Sequence, residues 1–248
     1  MTNYHSAPSM SQTRNAPHLA EIKTMFDRLA GRYDLFNRLT SLGLDHFWRV
    51  EAVRFIRPGM SVLDIGCGTG DLTLEARRQV GETGSILGLD FSENMLVYAE
   101  KKFKKIFPEA ANVRFKLGSA EELPIDGRRF DAIISAFVLR NIYENIDKIL
   151  DGVYESLSQG GAISFLDITE PRNKGFLKLW QFYMSTAAAM FGKLLFGKDY
   201  PSFYLTESAH RFLKKNEFME KLSQKGFLDV RARSFLFGII VLYQARKA

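Results

Sequence analysis

The run Val62-Leu63-Asp64-Ile65-Gly66-Cys67-Gly68-Thr69-Gly70-Asp71 is apolar, ends in an acid and then breaks into three alternate glycines. It reads as a short buried strand, Ser61 to Ile65, entering a tight glycine turn, followed by a helix that aims its N-terminus at whatever the turn holds. Dinucleotide sites space their glycines G-x-G-x-x-G, whereas Gly66, Gly68 and Gly70 stand G-x-G-x-G behind Asp64. A second apolar run, Ile86-Leu87-Gly88-Leu89, closes on Asp90 about 20 residues downstream, where an acid at a strand end can accept both hydroxyls of a ribose. Turn and acid together predict a nucleoside site.

Outward from this stretch, strand and helix patterns alternate. Strands are expected at 61–65, 85–90, 113–117, 130–137 and 162–168, with helices at 71–80, 93–107 and 145–157 between them, and such alternation implies a parallel sheet. In the second of these helices Met95, Ala99, Phe103 and Phe107 recur every four residues as a core stripe, leaving Lys101, Lys102, Lys104 and Lys105 as the wet face. Gly160-Gly161 marks a turn. Near the end, runs 228–235 and 239–245 meet at Gly238, a connection short enough to require antiparallel pairing. The expected fold is α/β, a doubly wound, Rossmann-like, mostly parallel sheet with an antiparallel C-terminal strand.

With 248 residues and 46% hydrophobic content, the chain can bury one full core and lacks the composition of a disordered protein. Residues 1–18 are rich in Ser, Asn, Thr and Pro and read as a disordered tail. They carry no secretory signal, and their single basic residue, Arg14, makes a poor transit peptide. The lone cysteine, Cys67, excludes an intrachain disulfide, fits a reducing compartment and sits in the turn as a small filler. A net charge of +6 favours an acidic partner, a nucleic acid or a membrane surface. No metal-ligand spacing is visible among four scattered histidines and one cysteine.

Two further segments flank the core. Residues 19–57 are helical in pattern and dense in Arg, Phe and Tyr; lying before the first strand of a doubly wound sheet, they are placed to cover the mouth of the site as a lid. Residues 174–204 are strongly aromatic, but the uncharged run 179–192 is 14 residues long, short of the roughly 20 needed to span hydrocarbon. A core helix, a wall for a greasy substrate, or a membrane-surface contact all fit it.

A more specific signal is Tyr33-Asp34-Leu35-Phe36-Asn37-Arg38-Leu39-Thr40-Ser41-Leu42-Gly43-Leu44-Asp45-His46-Phe47-Trp48. It resembles the signature of the ubiquinone/menaquinone biosynthesis C-methyltransferases through Tyr33, Asp34, Asn37, Ser41, Gly43 and Trp48, and the glycine turn resembles motif I of class I S-adenosylmethionine methyltransferases. The likeness continues through Leu139-Arg140-Asn141, Tyr204-Leu205, Glu207-Ser208 and Gly238-Ile239. Departures are Phe36 for Met, Thr40 for an aliphatic residue, Asp45 for His, Ser158-Gln159-Gly160-Gly161 for Lys-Pro-Gly-Gly, Asp167 for Glu and Thr169 for Ser. The resemblance implies the class I methyltransferase fold, S-adenosyl-L-methionine as donor and a polyprenylated quinol as acceptor, demethylmenaquinol before a ubiquinone-pathway benzoquinol. It also implies cofactor contacts from Thr69, Ser119, Ala120 and Ser135, alongside Asp64, Gly66, Gly68, Gly70 and Asp90. The expected layout is one methyltransferase domain over 19–248, with a lid at 19–57, a cofactor-binding core at 58–170 and substrate-side helices and hairpin at 171–248. The expected location is cytoplasmic, peripheral at the inner face of the cell membrane.

Carbon attacks a sulfonium methyl only from an electron-rich ring, so the site needs a base, or a cation that stabilises a quinol phenolate. Arg140, just past the fourth strand, is the candidate cation; its bland alternative is a surface ion pair. Tyr33, Asp34, His46 and His210 are the other catalytic candidates. An RNA or DNA methyltransferase would suit the positive charge, but the place after the fourth strand reads Ser135-Ala136-Phe137-Val138, without the Asn/Asp-Pro-Pro-aromatic cluster of base aminomethylation, and no nucleic-acid-binding module is seen. The glycine spacing disfavours an NAD-linked reductase, while a non-catalytic lipid-binding protein on the same fold stays open.

Overall fold

The computed structural model describes residues 19–171, 173–197, 200 and 212–248. The expected tail at 1–18, the 201–211 stretch with Tyr204-Leu205 and Glu207-Ser208, and His210 lie outside the described residues. Helices α1 (Leu19–Leu29), α2 (Tyr33–Thr40) and α3 (Leu44–Val53) precede the core. The core runs β1 (Ser61–Ile65), α4 (Asp71–Val80), β2 (Ser85–Asp90), α5 (Glu93–Ile106), β3 (Val113–Leu117), β4 (Phe130–Ala136), α6 (Ile146–Ser156) and β5 (Leu157–Ile168). Then come α7 (Lys174–Tyr183), a π turn (Met184–Ala188), α8 (Ala189–Phe196), α9 (Lys215–Gln224), β6 (Leu228–Phe235) and β7 (Ile240–Arg246).

Seven strands form one sheet in the order β3-β2-β1-β4-β5-β7-β6. Strands β1 to β5 pair in parallel, and β7 inserts antiparallel between β5 and β6. β1 is buried on both faces, which is why Val62, Leu63 and Ile65 are apolar without regard to face, with the buried Asp64 among them. One face of the sheet packs Leu63, Ile133 and Phe165 against α6 and α9 through Ile149, Val153 and Phe218. The other packs Val62, Ile134 and Leu166 against α3, α4 and α7 through Trp48, Ala76 and Trp180. The strand order reverses between β1 and β4, and in such sheets the crevice at that switch point is where ligands bind.

Local chemistry sets the helix starts at this crevice. Ser92 caps α5 by accepting from the Met95 backbone N–H, and Gly70 enters α4 at φ +85°, a left-handed conformation that suits glycine. Three sequence expectations change. α3 is core as well as cover, since Ala52 and Val53 are fully buried and Ser164 Oγ donates to the Ala52 carbonyl at 2.7 Å. β5 begins at Leu157, paired with Phe130, and the Gly160-Gly161 turn is a bulge before pairing resumes at Ala162. Lys102 leaves the wet face of α5: it is largely covered and bridges Asp34 and Asp71, each at 2.6 Å.

Candidate active site

A cavity of about 300 Å³ opens at the C-terminal ends of β1, β2 and β4, lined by Gly66, Gly68, Asp90, Ser119, Ala120 and Asn141 among others. A Cβ on Gly66 would lie 2.5 Å from Val138, so only glycine lets the turn pass there, while Gly68, at φ +53°, faces open space. Asp90 accepts from the Gly68 N–H at 2.8 Å and the Ser92 N–H at 2.9 Å. Those two bonds fix the carboxylate, but burial prevails and raises its pKa to about 6. Asp64 lies beneath the turn, fully buried, accepting from Thr73 Oγ1 at 2.5 Å. Its Oδ1 has no partner among the described residues, and burial, with Asp90 nearby, raises its pKa to about 7. Burial also pushes the Cys67 thiol well up, which keeps it protonated and inert.

A second cavity, about 450 Å³, lies between α1–α3, α7–α8 and the β6–β7 turn, walled by apolar groups such as Phe36, Trp48, Phe176 and Trp180. Phe26, Tyr33 and Phe137 line both cavities. Tyr33 bonds Asn37 and faces the positive charges of Arg140 and Arg49, yet burial prevails and raises its pKa, so at neutral pH it is a phenol. Phe137 holds φ +65°, a region costly for an aromatic residue, with the Arg49 guanidinium 5.2 Å from its ring. Arg140 lines the larger cavity and is buried, pairing through Nη1 with Asp167 at 2.7 Å and with the Phe137 carbonyl at 2.7 Å. The alternative of a surface ion pair does not hold, since the pair is buried. Asp45 closes the same wall, accepting from Arg49 at 2.5 Å, Arg38 at 2.8 Å and Ser41 Oγ at 2.9 Å.

A model of the ubiE/COQ5 methyltransferase family matches residues 12–247. The chain belongs to this family. A demethylmenaquinone methyltransferase of Desulfitobacterium hafniense (strain Y51) is 32% identical over 246 residues, 98% of this chain and 96% of that one. A ubiquinone/menaquinone biosynthesis C-methyltransferase of Geobacter sulfurreducens is 34% identical over 228 residues, 91% of this chain and 88% of that one. Among solved structures, a SAM dependent methyltransferase from Aquifex aeolicus superposes with a TM-score of 0.61 at 20% identity, covering 91% of this chain and 98% of that one. At that identity the likeness speaks for the fold alone.

Within this methyltransferase the sequence candidates separate. Gly66, Gly68, Asp90, Ser119 and Ala120 reach the smaller cavity, Arg140 the larger and Tyr33 both. Four others serve as struts. Thr69 Oγ1 donates to Asp34, which also pairs with Lys102, so both tie α2 to the glycine turn and line neither cavity. Ser135 spends its hydroxyl on the Ile65 carbonyl at 2.7 Å, and its neighbour Ala136 faces the cavity instead. His46 is half exposed, 3.5 Å from Glu75 and away from both cavities. Asp64 and Gly70 act from behind the cavity wall, as carboxylate support and helix start. Phe26, Phe137 and Arg49 carry no signal of this role in the sequence: Phe26 and Arg49 depend on how α1 and α3 pack, and Phe137 on the positive φ just past β4. Asn141, quoted only as part of a motif, lines the smaller cavity with its Oδ1 buried and unpartnered among the described residues.

Proposed function

We propose that this methyltransferase moves the methyl group of S-adenosyl-L-methionine to a ring carbon of a polyprenylated quinol, demethylmenaquinol. The observation that carries the reading is the pair of cavities meeting at Tyr33, one polar at its glycine turn and one walled with aromatics. The names of the Desulfitobacterium and Geobacter relatives support the acceptor class.

The donor set of the smaller cavity suits the cofactor. Asp90 keeps lone pairs for ribose hydroxyls, the unpartnered Asn141 oxygen suits a cationic amine, and Ala120, Leu89 and Ile142 offer an apolar slot beside Ser119 for a purine. When bound there, the cofactor supplies an electrophilic sulfonium methyl. In-line transfer needs the two partners close, aligned and dry, and Phe26 and Phe137 exclude water at the junction. Tyr33, a neutral phenol, can donate to the quinol oxygen, while Arg140, held by Asp167, favours negative charge on that oxygen as it spreads to the attacking carbon, and the one proton released overall leaves to bulk water at the cavity mouth. The test is methyl transfer from labelled S-adenosylmethionine to demethylmenaquinol, to a demethylated benzoquinol and to RNA. Demethylmenaquinol should take the label at least tenfold faster than either alternative. Equal labelling of the benzoquinol, or labelling of RNA alone, overturns the assignment.

A further inference from the structure

Helices α7 and α8, joined through the π turn, are apolar on two sides. One side, with Phe176, Trp180, Tyr183 and Met184, walls the larger cavity. The other presents Phe182, Met190 and Leu194 to solvent. Large apolar side chains turned to solvent mark an interaction face when they recur along one element, and here nothing among the described residues covers these three. The same face continues around the cavity mouth, where Leu42, Leu44, Leu179 and Leu236 are at once cavity lining and exposed. Phe237 packs against the cavity residue Phe176, with ring centroids 4.6 Å apart and the rings tilted by 52°.

Two features beyond exposure single out this rim. The loop tips are conformationally costly: Leu42 sits at φ +53°, Leu236 at +45° and Phe237 at +53°, where glycine or asparagine would be far cheaper. Yet these tips carry large apolar side chains, and Leu42 is 76%, Leu194 77% and Phe237 78% exposed. The second feature is charge. From residue 174 to 197 the chain holds Lys174, Lys178 and Lys193 and no acid, a pattern that attracts an anionic surface and opposes self-association of two like-charged faces. No helix among the described residues is long and apolar enough to cross a membrane.

We propose that the rim of Leu42, Leu179, Leu236 and Phe237, with the outward face of α7–α8, docks into the headgroup and outer acyl layer of an anionic bilayer. The cavity mouth then opens into lipid, and a prenyl chain enters without crossing water. This rests on the reading of a prenylated acceptor. Such interfacial seating combines shallow apolar burial with lysine contacts to lipid phosphates and is weakened by salt.

The test uses the full chain and the triple variant Phe182→Gln/Leu194→Gln/Phe237→Asn, whose residues line neither cavity. Wild type should bind phosphatidylglycerol vesicles, more weakly as salt rises, and phosphatidylcholine vesicles at least tenfold more weakly. The triple variant should lose at least tenfold in phosphatidylglycerol affinity and in methylation of a long-chain quinol embedded in those vesicles. Its turnover of a short-chain, water-dispersed quinol should stay within twofold of wild type. Vesicle affinity within twofold of wild type overturns the proposal. So does sedimentation equilibrium showing a lipid-free dimer that the triple variant breaks, which would make the face a contact between copies. If no quinol is methylated but vesicle binding still depends on the rim, the docking stands and the acceptor reading fails.

Discussion

Asp90 and Arg140 are buried, charged and next to the cavities, and burial affects them differently. Asp90 is raised from its ordinary 3.8 to about 6, and only its ionised form can accept two ribose hydroxyls while holding Gly68 and Ser92. A bound ribose favours the charged form, so cofactor affinity is full above about pH 6 and is lost as pH falls through that value; calorimetry with S-adenosylhomocysteine at pH 5, 6 and 7.5 reads this directly. Asp90→Ala should weaken binding at least 100-fold, since two charge-assisted hydrogen bonds of roughly 1.5–3 kcal/mol each are lost. Arg140 differs because it is already ion-paired with Asp167. Removing one partner of a buried pair costs about 3–5 kcal/mol, so Arg140→Ala should lower stability by that much in urea titration, and Arg140→Ala/Asp167→Ala should recover part of it. Turnover of Arg140→Ala therefore mixes folding with chemistry, and Tyr33→Phe is the cleaner probe: a roughly 100-fold loss of single-turnover rate is expected, with S-adenosylhomocysteine affinity unchanged within threefold. The glycine spacing and the strand-end acid made Gly66, Gly68 and Asp90 legible in the sequence, because backbone and register alone fix where they point. Ser135 and His46 misled, because one step of strand register or helix face turns a side chain from cavity to wall, and motif proximity carries no information about that turn.

Between elements, the polar contacts that matter join segments far apart in the chain. Thr69 and Lys102 hold Asp34 of α2 against the glycine turn and α5, and Ser92 donates to Asp27 of α1 at 2.5 Å. Lys102 also pairs with Asp71; burial works to raise that carboxyl, yet the lysine holds it below its ordinary value. Asp34 itself is more than a third exposed, so its pair with Lys102 is screened and worth at most about 1 kcal/mol, and the contacts fasten α1 and α2 over the junction without adding much to global stability. Asp34→Ala should accordingly cost under about 1 kcal/mol by denaturation, yet raise amide hydrogen exchange across 22–40 and weaken S-adenosylhomocysteine several-fold; unchanged exchange there would leave Asp34 as a surface charge. Periodicity located the sheet, since parallel strands with two buried faces and helices with four-residue stripes are local signals. It could not separate α3 from α1 and α2, because Trp48, Ala52 and Val53 meet their core partners on β1, β4 and β5, which come later in the chain. Lys102 shows the same limit: within its helix it is one of four surface lysines, and only the fold brings Asp34 and Asp71 to it.

Across the whole molecule, the free protein carries an electrostatic load under its glycine turn that ought to show in stability against pH. Asp64 is fully buried with one unpartnered oxygen among the described residues and a pKa raised from 3.8 to about 7. For a carboxyl whose folded pKa is raised, the native state binds the proton that the unfolded state has released. Between about pH 4 and 7 the native chain therefore holds more protons, and stability from this group falls as pH rises through that window, levelling off above it. At 1.36 kcal/mol per pKa unit the full effect is on the order of 4 kcal/mol. Carboxylates that lysines hold low, such as Asp71 and Asp147, act with the opposite sign and at lower pH, so the wild-type profile blends both. The difference between wild type and Asp64→Asn isolates the term, because the amide keeps the shape and cannot ionise. Urea titrations from pH 4.5 to 8 should show Asp64→Asn gaining on wild type by a few kcal/mol as pH rises, whatever its offset at pH 4.5. Parallel profiles for the two proteins would mean that Asp64 ionises normally and that its charge is compensated within the folded chain.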